Sequence, residues 1–528
     1  MGKEFIKSET HPKHYLMHKY WGRKAHNLIG SLIEDYSEPG DTVLDPFMGS
    51  GVTIIEANKS SRNSIGFDLN PISLLIARVT LSDVNPKLVV SRGEEILAEM
   101  PPELKNLSSR RCPICGANAV YTNGVWRDGE LVRVKLSCFN CGIQKRDADA
   151  TDRKIATRAK KMLELEMVSN PSKFPNPELF QFVRRSGVTR LSGLFSPKNL
   201  LQIAHIFSEI NAIAEDDVRE ALMVAFTSML PNVSRMIPAD SDQVTGKSGW
   251  QISKFWVPKI HTEKDVASSF SLRLVKIAAG LSEAQTLTTN AEFHLTLGNS
   301  AHMENVSKSS VDLVIADPPY GDSISYLALS MFWNAWFNPL VDYASEVIID
   351  SNRGKGISEY QSGLQEIFME MRRVIKPNGK LVVTFNNRHM RYWRPLLESI
   401  HNSAFQLIKL DWVDQAVRSG TQGINKESTL HGDFIYVFEP VNKAKVSKFT
   451  PINGETILDE KLSKVFASKK RFTTAELYTA VIPELVNQTA LLDSRGNNLD
   501  IDLAISRRCA YHDAPKGKSG FAGWELRN

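Results

Sequence analysis

The chain has 528 residues, 42% apolar and 23% charged, an ordinary globular composition with room for roughly two to four domains. A formal charge of +5 permits a nucleic-acid partner without requiring one, and no apolar run reaches membrane-spanning length. Of the five cysteines, four lie between Cys112 and Cys141 as two C-x-x-C pairs, which excludes a disulfide scaffold and points to metal chemistry.

In chain order, MGKEFIKSETHP lacks the apolar core of a signal peptide, so a cytoplasmic protein is expected. Residues 1–30 carry six Lys/Arg and four histidines against two Glu. His11, His14, His18 and His26 are spaced too loosely, and without an acidic ligand, to read as a metal site. The stretch GDTVLDPFMGSGVTIIEANKSSRNSIGFDLNPISLLIARV predicts a strand over 42–45, a glycine turn, a helix over about 51–60, a strand over 63–68 and a further helix. Residues 111–148 hold the cysteine pairs, and 150–288 have helical periodicity, as in LLQIAHIFSEINAIAEDDVREALMVAFTSML, broken by the polar loop PADSDQVTGKSGW. The α/β rhythm returns with FHLTLGN (293–299) and VDLVIAD (311–317), then a helical span ending in a turn KPNG (376–379). The strand KLVVTF (380–385) and strands near FQLIKLDWV and DFIYVFE complete it. The expected fold is a doubly wound α/β sheet formed by 1–90 and 290–440, interrupted by a zinc ribbon (111–148) and a helical insertion (150–288). A small tail domain over 445–528, helical and touching DNA, is expected last.

In LDPFMGSG, Asp45 ends a buried strand, and Gly49 and Gly51 open a helix, where a backbone can approach a ligand closely. Asp68 ends the next strand, where it can accept from ribose hydroxyls. A dinucleotide fits poorly, because Ile54 replaces the third glycine and Asp45 would repel a pyrophosphate. S-adenosylmethionine, which has an ammonium and no phosphate, fits better.

The second motif is IADPPYGDSISY, with Asp317, Pro318, Pro319 and Tyr320 at a strand's carboxyl end. An exocyclic base amine is a poor nucleophile until acceptors draw its two N–H groups out of the ring plane. Asp317 and the Pro318 carbonyl can supply those acceptors, the prolines fix φ, and Tyr320 can stack on a flipped base. The alternative is a proline-stiffened turn whose tyrosine merely packs in the core.

DPFMGSG, GFDLNP and ADPPY together resemble the cofactor and catalytic motifs of the DNA amino-methyltransferases, the N6-adenine and N4-cytosine family. HKYWGRKAHNLIGSLIEDY resembles the segment preceding the glycine motif in a subgroup that carries a zinc ribbon. The likeness covers residue 11 to about 440. It implies a class I S-adenosylmethionine-dependent methyltransferase acting on double-stranded DNA, with Asp45, Phe47, Gly49, Gly51, Asp68 and Asn299 on the cofactor and Asp317, Pro318, Pro319 and Tyr320 catalytic. Asp at the first catalytic position goes mostly with adenine in the family, and many relatives serve restriction or phage defence, so partner proteins of such systems are expected. Asn299 departs from the Asp of many relatives. The resemblance also places Tyr15, Tyr20, Trp21, Arg23 and Lys24 near the cofactor or phosphates.

Cys112, Cys115, Cys138 and Cys141 read as a closed structural zinc site, two knuckles joined by a hairpin that turns at Asp128-Gly129. Cys509 stands apart. Arg127, Arg133 and Lys135 on the ribbon, and Arg184, Arg185, Arg190, Lys198 and Lys254 in the helical insertion, are expected to face DNA. Phe385, Asn386 and Asn387 can line the base pocket. Three further readings stay open: an N4-cytosine enzyme, an RNA guanine-N2 methyltransferase, whose motif Gly321 would complete, and a non-catalytic zinc-containing DNA-binding protein.

Overall fold

The computed structural model describes residues 9–185, 187–239, 254–322, 324–337, 340–387, 389–414, 432–442, 448–512 and 523–527. The expected loop PADSDQVTGKSGW lies outside the described residues from 240 onward, as do Ser323 of the second motif and residues 1–8.

The strands, in chain order, are β1 (Thr42–Asp45), β2 (Asn63–Asp68), β3 (Ser109–Arg111), β4 (Asn118–Arg127), β5 (Glu130–Cys138), β6 (Gly142–Asp147), β7 (Ile260–Lys264), β8 (Phe293–Leu297), β9 (Val311–Ala316), β10 (Ile375–Phe385), β11 (Phe405–Asp414) and β12 (Gly432–Pro440), with a separate antiparallel pair, β13 (Cys509–His512) and β14 (Gly523–Leu526), near the end. One sheet runs β11-β12-β10-β9-β1-β2-β8. Neighbours from β10 to β8 are parallel, whereas β12 is antiparallel to both β10 and β11.

The central strands read as unbroken apolar runs because both faces are covered. Val43, Leu313, Ile315 and Val382 pack under helices His26–Tyr36 and Val52–Lys59. Leu44, Val314, Ala316 and Val383 pack under Ile357–Val374 and Met390–Asn402. The chain leaves β1 outward to β8, then returns to β9 on the other side of β1. That reversal opens a crevice at the carboxyl ends of β1 and β9, where this class of sheet binds ligands. The doubly wound α/β methyltransferase architecture expected from the sequence is the one the chain adopts.

Two local expectations need correction. KPNG is not a turn ahead of a strand: Ile375 already pairs with Val311 and Lys380 with Leu313, so residues 376–379 bulge out within β10. Gly379 is required there, since a Cβ would lie 2.7 Å from Ile375 Cγ1 and 2.8 Å from the Asp312 carbonyl oxygen. The segment expected to be helical also contains β7, which pairs with β4 from Asn123↔Lys264 to Arg127↔Ile260. β3–β7 thus form one sheet, and its hairpin turns at Asp128 (φ 48°) and Gly129 (φ 89°).

The helices Pro197–Asn211, Asp216–Val233 and Val266–Ala284 share a buried cluster with Pro71–Thr80, which follows β2, and Tyr326–Phe337, which follows the Asp317 loop. The insertion therefore buttresses both sides of the crevice. At the far end, Leu458, Tyr478, Leu485 and Ile505 of the C-terminal helices bury in the same cluster as Phe405 and Phe438 of the sheet.

Candidate active site

The glycine turn is held from several directions. Gly49 (φ 51°) and Gly51 (φ 80°) are left-handed, and a Cβ at Gly51 would lie 2.7 Å from Ala77 Cβ. Asp68 accepts from the Gly49 amide at 2.8 Å and from the Asn70 amide at 2.8 Å, and Asp45 accepts from the Phe47 amide at 2.9 Å. Burial pushes the carboxyls of Asp45 and Asp68 up to about 7. Each oxygen that receives a backbone N–H keeps a second lone pair, so both residues can still accept from a ligand. Asn299 Oδ1 caps the Ala301 amide at 3.0 Å, which leaves its amide group as a donor. Ser300 ties that loop to the Pro46 carbonyl beside Phe47. Two acceptors and one amide donor around the glycine turn fit an amino-acid tail, ribose hydroxyls and a purine edge, the parts of S-adenosylmethionine.

Asp317 leaves β9 at the reversal in strand order. Its Oδ1 accepts from Tyr320 Oη at 2.8 Å and Thr384 Oγ1 at 2.8 Å, and Lys24 Nζ lies 3.3 Å away. The Asp317 side chain keeps 29% of its accessibility in the partly shielded recess it forms with buried Lys24 and Asp433. Desolvation there pushes it up, against the opposing pull of Lys24. The Pro319 carbonyl is fully engaged by Tyr360 Oη (2.6 Å) and the Gly321 amide (3.0 Å). Among the described residues the Pro318 carbonyl takes no hydrogen bond. Gly321 (φ 70°) is packed against Tyr392, whose Cδ1 would meet a Cβ at 2.6 Å. Asn387 Nδ2 donates to the Tyr320 carbonyl at 3.3 Å, and the Phe385 ring meets Tyr320 edge-on at 4.9 Å. Phe385 itself is buried. Tyr320 is turned inward with its hydroxyl on Asp317, so stacking on a base requires that bond to be exchanged.

One side chain at this site escaped the sequence reading, and another has a different role from the one expected. Asp433, at the start of β12, is buried and lies 3.0 Å from Lys24 Nζ, with Tyr320 Oη at 3.5 Å. An acidic residue opening the apolar run DFIYVFE was the available signal. Lys24, expected near cofactor or phosphates, instead bonds Tyr320 Oη and sits between Asp317 and Asp433. Its neighbour Arg23 donates to Ser50 Oγ at 2.8 Å, so one short segment joins the glycine turn to the Asp317 loop. Tyr20 covers Gly49, with Cε1 3.1 Å from where a Cβ would sit, and its hydroxyl accepts from Ser73 Oγ at 2.9 Å. His14 bonds Glu283 at 2.8 Å, and buried His18 bonds Thr227 at 3.2 Å.

The four cysteine sulfurs lie within 4.8 Å of one another, close to the edges of about 3.8 Å that a zinc–thiolate tetrahedron requires. Each knuckle closes with a left-handed glycine, Gly116 (φ 72°) and Gly142 (φ 68°). The DNA-facing cations expected in the insertion are mostly engaged elsewhere. Lys198 is buried on Glu263 at 2.5 Å, Arg190 donates to the Asn176 carbonyl at 3.0 Å, and Lys254 to the Phe182 carbonyl. On the ribbon, Arg133 lies 3.5 Å from Asp147.

The family model for DNA methylase matches residues 3–78 and 311–498, together half of the chain and both sides of the insertion. Over 106 residues the chain is 31% identical to the Type II methyltransferase M.MjaII of Methanocaldococcus jannaschii, covering 20% of this chain and 19% of that one. Over 104 residues it is 30% identical to the Type II methyltransferase M.BamHI of Bacillus amyloliquefaciens, covering 20% and 22%. The matches thus span about a fifth of these relatives. Among solved structures, TrmN from Thermus thermophilus overlaps 81% of this chain and 52% of its own at 10% identity, with a TM-score of 0.27, too low to carry an argument.

Proposed function

The chain belongs to the DNA methylase family, and on that premise we propose that it transfers a methyl group from S-adenosylmethionine to the N6 amine of adenine in double-stranded DNA. The observation that carries this reading is the pair of acceptors on one loop: the Asp317 carboxylate in its recess and the Pro318 carbonyl left open while Pro319 is used for packing. An amine with one N–H on each is drawn toward a tetrahedral nitrogen with its lone pair exposed. When bound, S-adenosylmethionine supplies an electrophilic methyl group. Asp45, Asp68, Asn299 and the turn at Gly49 and Gly51, with Phe47 beside it, are the residues that would hold it. Tyr320 exchanges its bond to Asp317 for a face-on contact with the flipped base. Asp rather than Ser at position 317 favours adenine over cytosine N4, by resemblance to the family.

Cys112, Cys115, Cys138 and Cys141 are assigned to a structural zinc ion, with no open position for chemistry. The relatives' names suggest a modification enzyme of a restriction or defence system, acting in the cytoplasm. No helix among the described residues is long and apolar enough to cross a membrane.

The test is expression in a methylation-free host followed by single-molecule mapping of modified bases. N6-methyladenine at a defined motif supports the reading; N4-methylcytosine moves it to the alternative base, and unmodified DNA with methylated RNA overturns it.

For the DNA surface, the helix Ala150–Ser169 replaces the cations first expected. Arg153, Lys154, Arg158, Lys160 and Lys161 are exposed and make no ion pair among the described residues. Helical spacing puts them on one side, opposite Asp152, Ile155, Ala156 and Ala159, which face the ribbon. Such a stripe suits phosphates. Lys154→Ala with Arg158→Ala should weaken DNA binding equally for all sequences and flatten the slope of log affinity against log salt by about 1 per cation. Fluorescence anisotropy across a salt series checks this, and unchanged slopes would rule the helix out.

A further inference from the structure

Lys24, Asp317 and Asp433 come from three distant parts of the chain, and all meet at the Tyr320 hydroxyl. The ammonium is only 11% exposed and Asp433 only 5%, so this is a buried charge cluster of two carboxylates and one cation. Burying a lysine and one acid, with the second acid, Asp317, still 29% exposed, is costly unless the charges are paired. Burial alone would lower Lys24, but Asp317 and Asp433 outweigh it and hold the ammonium above its ordinary value. Lys24 lies closer to Asp433 (3.0 Å) than to Asp317 (3.3 Å).

We infer that Lys24, anchored by Asp433, is a positioning residue that keeps Asp317 ionised inside the recess, so that the acid limb of turnover is set by this pair of side chains. The inference rests on the proposed role of Asp317 as acceptor for the base amine. A protonated Asp317 would turn one oxygen into a donor and lose its negative charge, while the amine it must receive offers only N–H donors and becomes positive as it is methylated. Desolvation favours the protonated acid, and the Asp433 carboxylate favours it further. Among the described residues Lys24 is the cation that opposes them at short range, and the hydroxyls of Thr384 and Tyr320 help by donating to Oδ1. Asp45 and Tyr326 also feel the Asp317 charge, from β1 and from the helix after the loop. With Lys24 shared, the cluster keeps one net negative charge facing the recess. That residual charge is what stabilises the amine as it turns cationic.

The two partners therefore act in opposite directions, which a purely structural role would not produce. In pH profiles of kcat for the full-length, zinc-loaded enzyme, Lys24→Met should move the acid limb up by about one unit or more, the size expected for loss of a charge at this range. Asp433→Asn, which frees Lys24 to act on Asp317 alone, should move it down. Lys24→Arg, which restores a cation, should bring the limb back toward wild type. Coincident limbs, or shifts of the same sign in both variants, would overturn the inference. If Lys24→Met does not fold, the comparison of Asp433→Asn and Lys24→Arg with wild type decides it: a downward shift in the first supports it, and none sinks it. The protonated-carboxyl infrared band that disappears in Asp317→Ala gives the same titration without turnover. Near-wild-type turnover in Asp317→Ala would instead remove the acceptor role itself, leaving the infrared titration to judge the cluster.

Discussion

Asp317→Ala should lower kcat by about 10²- to 10³-fold, the cost typical of deleting one preorganised polar contact to a developing charge, while leaving S-adenosylmethionine affinity near wild type. The carboxylate lies on the base side of the crevice, whereas the residues assigned to the cofactor lie at the ends of β1, β2 and β8. The fold should survive. Asp433 still neutralises Lys24 at 3.0 Å, and the Tyr320 hydroxyl retains Lys24 and Asp433 as partners, so no buried charge is orphaned. The loop itself is held by contacts Asp317 does not make: Tyr360 on the Pro319 carbonyl and Asn387 on the Tyr320 carbonyl. Single-turnover kinetics with calorimetric cofactor binding separate the outcomes. A loss of cofactor binding matching the loss of rate would assign Asp317 to the wrong ligand.

The sheet was legible because its strands are buried on both faces and bounded by turn residues: TVLD, NSIGFD and VDLVIAD end within a residue of the strands formed. The two ligand-side motifs were legible for a related reason. A carboxylate or a proline at a strand's carboxyl end has no packing purpose in an apolar run. Lys24 and Asp433 were not, because nothing local in HKYWGRK or HGDFIYVFE says that residues 24 and 433 meet; only closure of the sheet, with β12 beside β10, brings them together. The insertion cations misled for a complementary reason. Lys198 looks like any surface lysine until β7, itself hidden in a stretch of helical periodicity, delivers Glu263 to it. The glycines after each cysteine pair, CPICG and CFNCG, were an unused signal that the two knuckles share one geometry.

Removing zinc should have the other large effect, and on stability rather than chemistry. The ribbon's own buried cluster consists of Cys112, Ala119, Tyr121, Leu131, Val134, Leu136, Cys138 and Ala148, two of them from the proposed zinc site, too small a core to hold its sheet alone. Structural zinc supplies apparent binding free energies of about 10–16 kcal/mol, so Cys112→Ser with Cys138→Ser, or a strong chelator, should unfold the ribbon. The damage should spread along two routes. β4 pairs with β7, whose Glu263 holds Lys198, and Arg110 and Arg146 of the ribbon pair with the buried Asp152 that caps the basic helix. That helix loses its anchor, and DNA affinity falls with it. The central sheet has its own cores on both faces, so cofactor binding should persist at temperatures where the ribbon has melted. Calorimetric scans should thus split into an early, chelator-sensitive transition and a later one raised by S-adenosylmethionine. A single transition indifferent to chelation would mean that the four sulfurs stabilise nothing. Turnover that needs metal at constant folded amount would make the ion part of the chemistry, against a site closed by four thiolates.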